Sequence, residues 1–327
     1  MSGATEGPIR ALVTDWEYED LEIERSGLEA GGLELADAQA RTPQQVVDAA
    51  RESGARALLV QYAPITAEVL HGIPDLGLVA RYGVGVDNVD LEAAREAGVW
   101  ICNVTGYGDE EVATHAASLA LAGVRGLAFH DRNVRGGVWD YKRARPTRRT
   151  SEQTLGILGL GRIGRKAASL LGPFFGQLLG ADPYLPAEHW PDGVDRVEVD
   201  QLFERADVIS LHLPLTEETR HLVDATSLGR MRDGAILVNT SRGGLVDETA
   251  LVRALDEGPL AAAALDVMET EPAPEDHPLR SHPRALVTPH AAWYSAESEV
   301  ILRRGAVANV VAWANGEVPT HVVVDPR

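Results

Sequence analysis

A single cysteine, Cys102, stands in 327 residues. One thiol cannot close an internal disulfide, which excludes a cross-linked scaffold and fits a reducing compartment. Its neighbours Val99-Trp100-Ile101 are apolar, so it reads as a core thiol rather than a nucleophile. Positive charge is also scarce. The chain has 30 lysines and arginines against 49 aspartates and glutamates, a net charge of -19. Such a chain repels nucleic acid and anionic membranes, and neither is expected as a partner. It also repels an anionic substrate at long range, so a site for one must supply local positive charge. No apolar run approaches the roughly 20 residues of a membrane span. The opening Met1-Ser2-Gly3-Ala4-Thr5-Glu6 lacks a basic stretch followed by an apolar one, so no secretory signal and a cytoplasmic location are expected. No metal site is expected.

What is present is a rhythm. Short apolar runs at 11–16, 55–63, 76–83 and 99–104 read as strands, and 42–53, 66–70 and 90–97 read as helices. This alternation predicts βαβ units and a parallel sheet buried on both faces. A long helical stretch is expected from about Glu110 to Phe129, with Val112, Ala116, Leu119, Ala120 and Val124 at helical spacing. A basic loop, 142–149, follows, and reads either as a solvated loop or as an attraction for an anionic substrate or partner. Strands then recur at 154–160, 177–181, 208–213, 235–240, 260–267 and 285–288, and a last helix is expected over 295–315. The fold class is therefore α/β, with two doubly wound parallel-sheet domains.

The strand Thr154–Leu158 runs into Gly159-Leu160-Gly161-Arg162-Ile163-Gly164 and then a helical pattern. In that context the three glycines have distinct tasks. Gly159 permits the tight turn, Gly161 lets the backbone approach a pyrophosphate, and Gly164 lets helix and strand pack closely. The helix N-terminus offers unpaired N–H groups to phosphate, and Arg162 suits pyrophosphate contact. Asp182 lies 18 residues past Gly164, near the spacing of the carboxylate that binds ribose hydroxyls. It would repel a 2′-phosphate, so NAD is expected over NADP.

Three polar residues stand at or near strand ends: Arg242, Glu271 and His290. Oxidation of a 2-hydroxy acid needs a base for the hydroxyl proton, and histidine suits that task near neutral pH. A carboxylate on the other ring nitrogen fixes the tautomer. An arginine can hold the substrate carboxylate and polarise the C2 oxygen.

With these residues in place, the sequence resembles the D-isomer-specific 2-hydroxyacid dehydrogenases. The resemblance is carried by Ala80–Asp90, Gly159–Gly164, Asn239–Asp247, Ala264–Pro272 and Thr288–His290. The run His290-Ala291-Ala292-Trp293-Tyr294-Ser295 looks most like the branch containing the C-terminal binding proteins, NAD-binding corepressors of dehydrogenase fold. The resemblance implies a Rossmann NAD-binding domain, 105–291, inserted into a flavodoxin-like substrate domain, 1–104 and 292–327. It implies NAD contacts at Gly159, Gly161, Arg162, Ile163, Gly164, Asp182, Leu213, Pro214, Thr219, Thr240, Ser241, Asp266 and His290, with Asp266 on the nicotinamide carboxamide. It implies that the backbone of Val84 and Gly85 receives the substrate carboxylate, and that Arg81 and Trp293 line the substrate pocket. Trp293 could also be core packing or interface surface, but its place three residues after His290 favours the pocket. A homodimer is implied, built from arms around 105–150 of the Rossmann domain. Two other readings stay open: an NAD-sensing corepressor-like binding protein, and phosphite-type oxidation on the same fold. Formate oxidation fits less well, because it needs no proton abstraction and that branch carries Gln where Glu271 stands.

Overall fold

From Pro8 onward, strands and helices alternate in the computed structural model, which describes residues 8–327. The segment Met1–Glu6, considered above as a signal, lies outside the described residues. The chain divides into two units, Met1–Tyr107 with Ser295–Arg327, and Gly108–Tyr294.

The first unit opens with β1 (Arg10–Val13), α1 (Glu22–Ala30), β2 (Glu34–Asp37), α2 (Pro43–Ser53), β3 (Ala57–Val60), α3 (Ala67–Gly72), β4 (Leu78–Arg81), α4 (Leu91–Ala97) and β5 (Trp100–Cys102). Local chemistry sets these limits. Thr42 and Gln45 form a capping box around Pro43 at the first helical position, and left-handed Gly54 ends α2. Asp90 caps α4 through the Ala93 N–H.

The second unit contains α5 (Asp109–Arg125), α6 (Leu127–Arg135), β6 (Thr154–Leu158), α7 (Arg162–Leu171), β7 (Gln177–Ala181), β8 (Asp195–Arg196), α8 (Val199–Arg205), β9 (Val208–Leu211), α9 (Ala225–Arg230), β10 (Ala235–Asn239), α10 (Glu248–Asp256), β11 (Leu260–Leu265), α11 (Pro278–Ser281) and β12 (Ala285–Val287). The chain then returns to the first unit with α12 (Ala296–Ala314) and β13 (Val322–Val324).

In the first unit the sheet order is β13-β5-β4-β3-β1-β2. All its pairs are parallel except β13 with β5. Five parallel strands in that order are the flavodoxin-like winding. In the second unit the order is β12-β11-β10-β9-β6-β7-β8, all parallel, with the first strand β6 central, as in a Rossmann sheet. Apolar residues cover both faces of that sheet. Leu202, Phe203, Leu228, Leu251 and Leu255 pack on one, and Leu119, Ala120, Val124, Ala168 and Leu171 on the other.

The expected helix over 110–129 is two helices. Gly126, at φ 60°, ends α5, and α6 leaves at 62° to it. The elements α1, β2, β8 and β13 fall outside the runs expected from sequence. Gly27 and Gly31 are close-packing positions: a Cβ there would lie 2.7 Å from Val307 Cγ1 and 2.8 Å from Val311 Cγ2 of α12. Cys102 is fully buried, and burial pushes its thiol up to about 12. Among the described residues no single helix is long and apolar enough to cross a membrane.

Candidate active site

The glycine loop joins β6 to α7 in the second unit. Gly159 has φ 91°, and a Cβ there would sit 2.4 Å from the His212 carbonyl oxygen. A Cβ at Gly164 would lie 2.0 Å from the Gly159 carbonyl oxygen. Gly161, between them, has nothing within 4 Å of its Cβ position. One position therefore opens to a ligand while the other two close against the chain. Gly161 also begins α7 with no side-chain cap, so the first amides of the helix are left to an incoming anion.

Asp182 follows β7. Its Oδ2 accepts the Leu160 N–H at 2.8 Å, and its Oδ1 accepts those of Tyr184 and Leu185 at 3.0 and 3.1 Å. The carboxylate thus ties the glycine loop to the neighbouring strand end, beside any ribose role. Arg162, the first residue of α7, binds Asp109 Oδ2 through Nε at 2.8 Å; here it docks α7 on α5. Ile163 is the next residue of the same helical turn. Leu213 lies beside Gly159. Thr219 staples its loop by donating to the Pro214 carbonyl and accepting from the Thr216 N–H, both at 2.8 Å. At the end of β10, Thr240 Oγ1 is buried without a partner among the described residues. An open glycine, an uncapped helix start and an orphaned hydroxyl in one unit fit a dinucleotide.

The catalytic candidates meet in the same unit. His290 Nδ1 lies 2.6 Å from Glu271 Oε2, and Glu271 Oε1 accepts the Met268 N–H at 2.8 Å. Burial pushes the Glu271 carboxyl up. The His290 hydrogen bond and charge, the Met268 amide and the nearby Arg242 charge outweigh it, and the group sits below its ordinary 4.5. Arg242 Nη1 donates to the Ser241 carbonyl at 2.7 Å. Its turn is held by Asn239, a residue the sequence reading passed over. The buried Asn239 side chain donates to the Arg242 carbonyl and accepts the Ser241 N–H. Ser241 Oγ donates to the Leu211 carbonyl. Gly243 matters because the backbone of Met268 passes over it; a Cβ would lie 1.9 Å from the Met268 carbonyl carbon. The Arg242 and Glu271 loops are thereby pressed together.

His290 has φ 52°, a left-handed conformation that side chains seldom adopt. Its N–H donates to the Asp266 carbonyl at 2.8 Å. The Asp266 side chain, wholly buried, accepts the N–H groups of Ala291 on Oδ1 and Ala292 on Oδ2. Asp266 therefore fastens the loop carrying His290, and its Oδ2 keeps capacity for a further donor.

Trp293 belongs to this unit, half-buried, its ring edge-on to Tyr294 at 5.6 Å. Arg81, Val84 and Gly85 belong to the first unit. There Arg81 ends β4 and its guanidinium crosses Gly83, whose Cβ would meet Nη1 at 1.5 Å. Val84 is exposed, and its carbonyl accepts from Asn103 Nδ2 at 2.6 Å. Among the described residues no group of three metal-ligating side chains gathers.

The chain is similar to known proteins of one family. Residues 117–292 match the model of the D-isomer specific 2-hydroxyacid dehydrogenase, NAD binding domain. The chain is 39% identical over 264 residues to a glyoxylate reductase of Korarchaeum cryptofilum, covering 80% of each protein. It is 35% identical over 323 residues to a D-3-phosphoglycerate dehydrogenase of Methanocaldococcus jannaschii, covering 98% of this chain but 60% of that protein. Among solved structures it is similar to D-lactate dehydrogenase of Aquifex aeolicus complexed with NAD and lactic acid. The TM-score is 0.85 at 28% identity, over 97% of this chain and all of that one.

Proposed function

Because the chain belongs to the D-isomer specific 2-hydroxyacid dehydrogenase family and carries its NAD-binding domain, we propose that His290, Glu271 and Arg242 carry out the interconversion of a small D-2-hydroxy acid and its 2-oxo acid. The observation that carries this is the 2.6 Å bond between His290 Nδ1 and Glu271, formed within reach of the Arg242 charge. A bound nicotinamide supplies or takes up hydride at substrate C2. With Nδ1 committed to Glu271, His290 Nε2 is the atom that takes the hydroxyl proton in oxidation and returns it in reduction. Glu271, ionised at neutral pH, balances the charge of the ring once it holds that proton. Arg242 receives the substrate carboxylate and stabilises the C2 oxygen as it gains charge.

NADH oxidation with glyoxylate, pyruvate and hydroxypyruvate tests the reading. Turnover is expected with at least one of them, and His290→Ala should lose roughly 10²–10⁴-fold in kcat. Arg242→Lys should lower kcat and raise KM while NADH affinity holds, because lysine lacks the planar fork. On the run His290–Ser295 we also propose a place nearest the branch of the C-terminal binding proteins. NADH binding without turnover of any oxo acid would favour such a scaffold over the enzyme.

The proposal extends to NAD over NADP, on the carboxylate of Asp182, and to a homodimer formed around α6. There Leu127, Val134, Trp139 and Tyr141 are all exposed, Trp139 at 89%, an apolar display that isolated chains rarely leave open. Sedimentation of wild type against Trp139→Ser tests the dimer.

A further inference from the structure

Helix α5 brings one side chain to the loop of His290 that the proposed mechanism does not use. His115 Nε2 lies 2.9 Å from Thr288 Oγ1 and 3.4 Å from Asp266 Oδ1. Thr288 Oγ1 lies 2.5 Å from Asp266 Oδ1. The direction of these bonds follows from counting protons. An ionised carboxylate only accepts, so the single Thr288 hydroxyl proton points at Asp266. The hydroxyl oxygen must then accept from His115, which places a proton on Nε2 of that ring. The chain runs from His115 Nε2–H to Thr288 Oγ1–H to Asp266 Oδ1. It ends on the carboxylate that also holds the N–H groups of Ala291 and Ala292, the two residues directly after His290 with its φ of 52°.

We propose that His115 is a positioning residue for His290. Its N–H fixes the Thr288 hydroxyl, the hydroxyl orients Asp266, and Asp266 clamps the loop so that the His290 ring stays against Glu271. Without the ring, the Thr288 hydroxyl can turn away and the carboxylate loses one of its fixed donors. The loop then relaxes toward ordinary backbone angles, and the acid–base ring leaves its bond with Glu271 for part of the time. The role is set by hydrogen-bond direction, so a neutral donor of similar reach can replace it. The inference rests on the reading of His290 as the proton carrier.

The test has two arms. In the first, long-range ¹H–¹⁵N spectra of histidine-labelled protein at pH 8, with the His115 signals assigned by their loss in His115→Gln, should show Nε2 protonated. An Nδ1–H tautomer with bare Nε2 overturns the chain of bonds. In the second, steady-state reduction of the best oxo acid among glyoxylate, pyruvate and hydroxypyruvate is compared across variants. His115→Leu should lower kcat roughly ten- to a hundredfold, the scale of a misplaced catalytic group, with KM and NADH affinity nearly unchanged. His115→Gln should recover most of the loss. Thr288→Val should cost about as much, and the double variant His115→Leu with Thr288→Val should cost little more than either alone, since both break one chain. A fall in thermal stability with unchanged kcat overturns the positioning role. His290→Ala separates the two levels: turnover retained there overturns the acid–base reading and this inference with it. Turnover lost there but unchanged in His115→Leu overturns only the positioning role.

Discussion

Two glycines three residues apart should fail in opposite ways when each is changed to alanine. At Gly161 the backbone, φ -65° and ψ -163°, is open to any residue, and an added methyl meets no atom within 4 Å. Folding should not suffer. Alanine narrows the unfolded ensemble, which is worth about 0.4–1 kcal/mol in favour of the native state. The methyl instead occupies the space through which a pyrophosphate reaches the first amides of α7. Loss of one charge-assisted hydrogen bond costs about 1.5–3 kcal/mol, a roughly ten- to hundredfold weaker NADH affinity. At Gly164 the methyl would stand 2.0 Å from the Gly159 carbonyl oxygen and 3.0 Å from its carbon. Backbone must move there, and overpacking of this kind costs about 1–3 kcal/mol of stability.

Urea unfolding with and without NADH separates the two. At NADH one hundred times its wild-type Kd, binding should add about 2.7 kcal/mol to wild type; a thirtyfold weaker variant should gain about 0.9 kcal/mol. Gly161→Ala should therefore match or exceed wild type without NADH and fall behind with it. Gly164→Ala should be weaker in both. If Gly161→Ala bound NADH as wild type does, the open position would not be the phosphate approach. If Gly164→Ala were as stable as wild type, the packing account of that glycine would fail.

Three further outcomes follow from other residues. His212, half-buried with its Nδ1 shut off from solvent, is held down to about 4 from its ordinary 6.5 by loss of hydration. Its contribution is whole above pH 6.5 and is lost as pH falls toward 4, because only the unfolded state takes the proton. Stability should decline by about 1.4 kcal/mol per pH unit there, roughly 3 kcal/mol in all, and His212→Asn should flatten that slope in urea titrations; an equal slope in the variant would refute it. Glu24 is buried against Arg303 at 2.7 Å, and Arg303 also lies over the Tyr18 ring. Glu24→Gln should cost about 3 kcal/mol, the low end for breaking a buried pair, because Glu299 and the Asp20 carbonyl keep part of the guanidinium satisfied; a urea midpoint within error of wild type would refute it. Asp182→Asn should narrow the ratio of kcat/KM for NADH over NADPH at least tenfold, mostly through lost NADH affinity; equal use of both cofactors by wild type would remove Asp182 from cofactor choice.

The parts of this protein legible in its sequence are those where one residue type has one physical use. The glycines of the 159–164 loop announce themselves by spacing. β7 begins and ends at Gln177 and Ala181 as its apolar run predicts. The last helix runs between Ser295 and Asn315 because both act as caps. Other parts were hidden where a residue type has two uses. Gly27 sits inside a helix and looks like a break, but it admits Val307. Gly126 sits inside an apolar helical pattern and looks tolerable, but it turns left-handed and ends α5. β2, Glu34–Asp37, is an exposed edge strand with no apolar signal of the kind that marks a buried one.

The same ambiguity governs the acidic residues, and it explains why the support of the candidate site stayed hidden while the residues proposed for it could be named. An excess of carboxylates first suggests a solvated surface. Yet Asp15, wholly buried, accepts the N–H groups of Gln61, Tyr62 and Ala63. Asp182 accepts three amides, and Glu271 accepts that of Met268. Asp266 accepts those of Ala291 and Ala292. Asp15, Asp182 and Asp266 each lie within two residues of the C-terminal end of a strand, where loop amides have no ladder partner and need an acceptor. A carboxylate meets that need with a charge-assisted bond, and its partners are backbone groups that carry no letter in the sequence. Arg242, Glu271 and His290 could be picked out because their side chains have chemistry of their own. What holds them, from Asn239 under Arg242 to His115 behind Asp266, is defined by which amide or hydroxyl it faces, and only the folded chain supplies that partner.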